Sequence, residues 1–412
     1  MKRFLLTLVG LALALSLHAQ VTTGLEVLVE KGFKPLLGKR VGLVTNPSGV
    51  DRNFRSTIDI LFQAPEVNLV ALFGPEHGVR GDVYAGDHVD SSKDPRTGLP
   101  VHSLYGATRE PTPEMLKGID VMVYDIQDVG TRCYTFISTL GLVMRACAAA
   151  GIEVVVLDRP NPLGGNKVEG CVVEDGFYSF VSQYKIPFLY GLTVGELATL
   201  INQEELNRGQ RGRLKPVQCK LTVVPMRGWH RDMLYKDTGL PWILPSPNIP
   251  SMQSALCYGA SGIAGEFGLL NSGVGYTIPF ETFAAEWIDA DALLDRLNSY
   301  HIPGVAFRTI HYKPISGSKS GVLLHGVQFT FTDYEACPVT LLQFYVMQAV
   351  NELYPDKNPY PLASTDMLDK VCGTDYVRMA FGMQMKVADI VEYWNKDVEA
   401  FKKLSQVYYL YR

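Results

Sequence analysis

Apolar residues fall along the first half of the chain in short unbroken blocks, separated by polar and small residues. Arg40 to Thr45 (RVGLVT) is such a block, closed by Asn46-Pro47-Ser48-Gly49. Asn68 to Phe73 (NLVALF), Val101 to Tyr105, Val121 to Ile126, Glu153 to Leu157 (EVVVL) and Leu221 to Pro225 have the same form. Each is too short for a helix and too evenly apolar for a sheet with one wet face, so each predicts a strand buried on both sides. Between them the spacing becomes helical, near Ser56 to Phe62, from Phe136 to Ala150 and from Thr193 to Gln203. Thr193-x-x-Glu196 is a capping box. Thr112 to Gly118 reads as one more helix, with Thr112 at its N-cap and Pro113 at its first position. Strands alternating with helices predict an α/β fold, a Rossmann-like doubly wound parallel sheet.

Past Pro245 the texture changes. Pro245, Pro247 and Pro250 interrupt the pattern, and a glycine-rich stretch runs from Gly259 to Gly275. Helical spacing returns at Asp289 to Ser299 and Thr340 to Leu353, strand-like blocks lie at Val305 to His311 and Gly321 to Thr332, and the tail is helical. The expected division is a leader over 1–19, a Rossmann-like catalytic domain over 20–250 and a smaller α+β domain over 251–412.

The leader rests on its own pattern. Lys2 and Arg3 precede an apolar run from Phe4 to Leu17, and Ala19 precedes Gln20. That is the form of a cleaved secretory signal, and the run is shorter than the roughly 20 residues of a membrane span. No Cys follows it, so no lipid anchor is expected. The mature chain is then expected to be exported to the periplasm or the extracellular medium, without stable membrane association. Loss of Lys2 and Arg3 moves the formal charge from −4 to −6. Such a chain has no basic footprint for nucleic acid. The seven cysteines are scattered with no CxxC pair, which predicts small buried thiols and no structural zinc.

Candidate chemistry lies where the strands end. In an open α/β sheet the ligand site lies beyond the carboxyl ends of the strands. There the sequence places Asn46 and Ser48, then Gly74-Pro75-Glu76-His77-Gly78. Farther on come Asp125, Gln127 and Asp128, with Arg132 and Tyr134 beyond, and then Asp158, Arg159 and Asn161. A GxGxxG fingerprint, a P-loop, a GxSxG elbow and HExxH are all lacking, so no cofactor is expected. His77, His88 and His102 match no common metal spacing. Carboxylates beside Tyr, Arg and Asn suit acid/base work on a glycosidic bond.

GPEHG (Gly74 to Gly78), YDIQDVGTRCYTF (Tyr124 to Phe136), LDRPNPLGG (Leu157 to Gly165) and LPWILPSPNIP (Leu240 to Pro250) carry a resemblance. Together, in this order, they resemble the exo-β-N-acetylmuramidase (NamZ) family of peptidoglycan glycoside hydrolases, over essentially the whole mature chain. The resemblance implies a Rossmann-like domain and a smaller C-terminal domain with the active site in the cleft between them. It implies release of N-acetylmuramic acid from the non-reducing ends of peptidoglycan-derived muramyl glycans, with Glu76 as the general acid. His77 is expected to orient Glu76 or the sugar, and Asp125 or Asp128 to be the second carboxylate, unless a salt bridge to Arg132 occupies them. Arg132 and Arg159 are candidates to grip the lactyl carboxylate through bidentate bonds. Tyr124, Tyr134, Trp229 and Trp242 are candidates to stack on sugar faces. Asn46, Gln127, Asp158, Asn161 and Asn248 complete the expected substrate contacts.

One stretch departs from the family. Where many members read FEGTNLSEGRGT, Gly265 to Tyr276 keeps Glu266 at the first glutamate but has Ser272 and Val274 in place of the second glutamate and the arginine. Glu266 is the reserve second carboxylate. The changed pair leaves two alternatives to the muramidase: a non-catalytic muropeptide or sugar-binding protein, and a divergent hydrolase with altered glycan specificity.

Overall fold

The computed structural model describes residues 20–81, 92–266, 268–357 and 365–412, with backbone only at Glu266 and Thr365. The expected leader and His88 lie outside them. Seven strands, β1 (Arg40–Thr45), β2 (Asn68–Gly74), β3 (Ser92–Lys93), β4 (Pro100–Ser103), β5 (Val121–Asp125), β6 (Glu153–Leu157) and β7 (Leu221–Val224), form one sheet. Their order is β3-β4-β2-β1-β5-β6-β7. All pairs are parallel except β3 with β4 at the edge. Without β3, the order reverses between β1 and β5 as in the Rossmann fold, so the switch point lies between those two strands.

The apolar blocks are continuous because side chains alternate between two covered faces. Leu43, Val123 and Val155 meet α1 (Gly24–Glu30) and α2 (Thr57–Gln63) on one side. Val44, Met122, Tyr124, Val154 and Val156 meet α3 (Phe136–Ala150) and α4 (Val194–Gln203) on the other. At α4 the capping box is present: the Thr193 hydroxyl accepts from the Glu196 N–H at 3.2 Å, and the Glu196 carboxylate accepts from the Thr193 N–H at 3.1 Å. Residues 113–118 are turns, and the helix expected from Thr112 to Gly118 does not form. Leu116 N–H bonds to the Thr112 carbonyl at 3.2 Å, but Gly118 at φ 81° ends the turn. Asp120 then binds Arg40 through its Nε at 3.0 Å and Nη2 at 2.9 Å, which fixes the chain for entry into β5. One nucleated turn has no room to propagate.

The second half builds an antiparallel sheet from β8 (Thr282–Ala285), β9 (Val305–Tyr312) and β10 (Leu324–Phe331), ordered β8-β10-β9. Helices α5 (Met252–Glu266), α6 (Ala290–Ser299), α7 (Leu342–Leu353), α8 (Thr365–Cys372) and α9 (Tyr376–Gln384) accompany it. Its core centres on Phe283, Phe329, Leu293 and Phe344. Half of the glycine-rich stretch is therefore helix. Gly259 lies where a Cβ would come within 3.1 Å of Leu189, so small residues let α5 approach the first sheet's loops closely. The short α10 (Val391–Trp394) and α11 (Val398–Ser405) follow. Val398 and Phe401 return to the core of the first sheet. No helix among the described residues is long and apolar enough to cross a membrane. All seven cysteines are buried free thiols, as the scatter predicts.

Candidate active site

Glu76 stands two residues beyond the end of β2. The turn closes through the Gly78 N–H to the Pro75 carbonyl at 3.0 Å. His77 is buried with φ 73°, a left-handed conformation that costs a non-glycine residue energy and that a rigid surround must enforce. Glu76 itself is half-buried and lines two adjoining cavities. The first, of about 190 Å³, is bounded by Tyr134, Ser246, Asn248, Tyr258 and Phe280. The second, of about 430 Å³, is bounded by Tyr105, Arg109, Thr135 and Phe180 and runs on toward Arg211 and Lys370. The cleft thus takes its walls from the loops after β2, β4 and β5, from the proline-rich 245–250 segment and from α5.

Aromatic edges shape the first cavity. Tyr134 meets Phe136 and Tyr258 edge to face at 5.0 and 5.8 Å, and Tyr258 meets Phe280 at 4.9 Å. The Tyr134 hydroxyl approaches Ser246 without a hydrogen bond of ordinary geometry. Burial, with the charges of Asp128 and Glu76, pushes its pKa well above the ordinary phenol value, so it stays a neutral donor. In the second cavity burial and the Glu76 charge raise Tyr105, which hydrogen-bonds with Glu76. The Arg109 guanidinium lies 4.1 Å from the Phe180 ring centre and 5.2 Å from that of Tyr105. A carboxylate, two phenols and a cation over aromatic faces therefore line one cleft.

Several expected site residues do other work. Asp125 is fully buried and grips Arg159, with Nε at 2.6 Å and Nη2 at 2.9 Å, and also accepts from the Thr57 hydroxyl. That bidentate pair engages both the proposed second carboxylate and one proposed lactyl clamp. Among the described residues Arg132 pairs with no carboxylate. It donates to the carbonyls of Cys171, Ile186, Val371 and Cys372 at 2.6, 2.7, 3.1 and 2.7 Å. The last two end α8, where a cation meets the negative end of the helix dipole. Arg132 therefore fastens the two units together.

Asp128 accepts from the Gly130 N–H at 2.8 Å and from the Tyr190 hydroxyl. Burial raises its pKa to about 6. Asp158 caps the start of α4 through the Gly195 N–H at 2.8 Å and holds Thr193 and Tyr411 at 2.8 and 2.5 Å, and burial raises it to about 7. Asn46 donates to the Pro245 carbonyl at 3.0 Å and accepts from Ser48 N–H at 2.9 Å. Gln127 donates to the Asp128 and Pro160 carbonyls at 2.8 and 2.7 Å, and Asn161 spans Leu192 and Leu163. The Tyr124 hydroxyl is buried on the Phe136 carbonyl at 3.0 Å. Trp229 packs on Tyr411, and Trp242 donates to the Ile249 carbonyl at 3.2 Å.

Of the expected residues, then, the structure brings Glu76, His77, Tyr134 and Asn248 to one cavity. For Glu266 the description ends at the backbone, at the end of α5. Ser272 is buried in a turn whose neighbour Gly273, at φ 89°, has a place for Cβ only 2.2 Å from the Ile278 carbonyl. That glycine serves a turn of this chain. Sequence reading missed Tyr105, Arg109, Phe180, Tyr258 and Phe280. Tyr105 and Arg109 follow the strand that pairs with β2, which is a usable signal. Phe180 and Tyr258 lie far from any strand in sequence, and Phe280 precedes the amino end of β8, not the carboxyl end of a strand of the parallel sheet.

Comparison with known proteins gives a consistent result. Family models described as exo-β-N-acetylmuramidase NamZ, N-terminal and C-terminal, match residues 41–253 and 256–411. The chain is 43% identical over 392 residues to the peptidoglycan β-N-acetylmuramidase NamZ of Bacillus subtilis, covering 95% of this chain and 92% of that one. A crystal structure of a DUF1343 family protein from Bacteroides fragilis superposes with TM-score 0.90 at 53% identity, over 95% of this chain and 99% of that chain. A second from the same organism gives TM-score 0.77 at 28% identity, over 96% and 99%.

Proposed function

This chain belongs to the exo-β-N-acetylmuramidase NamZ family, and on that footing we propose that it hydrolyses the glycosidic bond of non-reducing terminal N-acetylmuramic acid in peptidoglycan-derived glycans, with Glu76 as general acid. The observation that carries the residue assignment is that Glu76 is the sole carboxylate among the described side chains lining either cavity. Its proton passes to the leaving oxygen as the bond to the sugar's anomeric carbon breaks. Asp125 and Asp128 are engaged inside the fold. A single carboxylate suits substrate assistance, in which the sugar's own 2-acetamido oxygen bonds to the anomeric carbon and water then displaces it. Tyr134, held neutral, is placed to donate to a sugar oxygen. Arg109 takes over the role expected of Arg132 and Arg159, countering the lactyl carboxylate.

Proton NMR of the product from the muramyl-glucosamine disaccharide tests this directly. Release of N-acetylmuramic acid first as the β-anomer is expected, and first appearance of the α-anomer sinks substrate assistance. Glu76→Gln removes the release; turnover like the wild type in that variant sinks the acid assignment. We propose also that residues 1–19 are an export signal and that the reaction serves cell-wall recycling in the periplasm or outside the cell. The basic-then-apolar pattern ending at Ala19 supports this. An N-terminus other than Gln20 on exported protein would count against that cleavage point.

A further inference from the structure

Beyond the second cavity the cleft continues to a loop with an unusual charge. Residues 204–220 join α4 to β7 and carry Arg208-Gly209-Gln210-Arg211-Gly212-Arg213. The loop is built rather than slack. Arg145 Nη1 pinches its two ends, donating to the Asn207 carbonyl at 2.7 Å and the Lys215 carbonyl at 3.0 Å. The Asn207 amide reaches the Gly141 carbonyl at 2.8 Å. Leu214 N–H closes on the Arg208 carbonyl at 3.1 Å. Gly212, at φ 61°, lies so close to the Tyr178 ring that a Cβ would stand 2.4 Å from it, so the loop is laid against that ring.

The three arginines are exposed, and none takes part in an ion pair within the described residues. Their basic neighbours are occupied: Lys185 pairs with Asp175 at 3.1 Å and Lys370 with Asp366. Arg208, Arg211 and Arg213 face a cavity of about 480 Å³ whose wall also holds Tyr178, Lys370 and Asp175, the last paired with Lys185. Tyr178, Arg211 and Lys370 also line the cavity that reaches Glu76. One groove therefore runs from the carboxylate to three unpaired guanidiniums. Like charges this close repel, and in a chain of net charge −4 the cluster is a local positive field that folding does not require. Guanidinium forks match carboxylates.

We infer that this groove is a subsite for a carboxylate on the leaving-group side of the scissile bond, carried by the next muramyl unit of the glycan. The inference rests on the muramidase reading of Glu76 and extends it to substrate length. In a chain where muramyl sugars alternate with neutral ones, a disaccharide presents its one lactyl carboxylate at the cleavage point, and a tetrasaccharide brings a second along the groove. The second carboxylate comes either from the lactyl group itself or from a stem peptide attached to it.

The test compares kcat/KM of the wild type and Arg208→Gln/Arg213→Gln on three substrates: the disaccharide, the tetrasaccharide, and the tetrasaccharide with a stem peptide on its second muramyl unit. The wild type is expected to favour the tetrasaccharide that carries the recognised carboxylate by about tenfold, through KM, the worth of one charge-assisted bond, and to lose the preference in high salt. The double variant is expected to abolish the preference and leave disaccharide turnover and melting temperature unchanged. Preference for the peptide-free tetrasaccharide alone assigns the lactyl carboxylate, which the amide bond to a stem consumes, and preference for the peptide-bearing form assigns a carboxylate of the stem. No preference in the wild type, a preference kept by the variant, or equal loss on all substrates overturns the subsite. If the wild type cleaves none of them, the muramidase reading fails separately. Calorimetric binding of the tetrasaccharide with and without the two arginines then decides the groove: tighter binding with them supports it, and equal binding overturns it.

Discussion

Two polar clusters sit at the carboxyl edge of the same sheet, and they differ in whether they are closed. At the switch point between β1 and β5 the side chains answer one another. Asp125 holds Arg159, Asn46 holds Ser48 and the Pro245 carbonyl, and Gln127 bridges two carbonyls. The space left beside Gln127 and Arg159 is about 10 Å³, room for a single water. One strand away, after β2, the loops do not meet, and cavities of about 190 and 430 Å³ open on either side of Glu76. The strand-end rule locates the right edge of the sheet. It does not say which loops are sealed by their own hydrogen bonds and which face the second unit across a cleft.

That contrast can be broken at either end. The largest effect is expected from Glu76→Gln, which lowers kcat on the muramyl disaccharide by about a thousandfold and leaves the melting temperature within a degree, as steady-state kinetics and calorimetry would read. Asp125→Ala should do the reverse. It strands Arg159 buried and unpaired, costing about 3–5 kcal/mol by denaturant titration, while the molecules still folded keep their activity. If Asp125→Ala instead lowers kcat at full stability, the closed cluster is catalytic after all.

Smaller effects sharpen the picture. Arg109→Gln should raise KM for the muramyl disaccharide about tenfold, with less effect on an analogue lacking the lactyl carboxylate. Asp158 and Asp128, raised by burial to about 7 and about 6, bind more protons folded than unfolded between about pH 4 and 7. Their stabilisation is full below about pH 4 and is lost as pH rises through those values. The melting temperature should fall by a few degrees from pH 5 to 8, and Asp158→Asn should flatten the fall. Asp94 works in another window. Against its burial, Arg80 and Thr97 hold it at about 2, so its stabilisation is lost only in stronger acid.

The strands were legible because β1, β5 and β6 are covered on both faces, and no local pattern but an unbroken apolar block satisfies that. The place of Glu76 at the cleft was legible because Gly74 and Pro75 lead into it at a strand end. The partners of the buried charges were not. Arg132 answers carbonyls as far away as Cys372, and Asp125 found Arg159 across two strands. Such pairings depend on how the loops cross and leave no local spacing. The helix α5 was hidden for a related reason: its glycines look like loop, yet packing against Leu189 favours small residues there.

Tyr411 and Arg412 have a consequence for how the two units come apart. The Tyr411 hydroxyl donates to Asp158, which caps α4, and accepts from the Met226 N–H at 2.8 Å, while the Arg412 carbonyl receives the Arg231 N–H at 3.3 Å. The first sheet is thus finished by a segment 253 residues away in sequence. While that segment is undocked, the cap of α4 lacks one of its donors and the pocket around Trp229 is open. The two units therefore do not separate cleanly, because the chain that leaves the second returns to clasp the first.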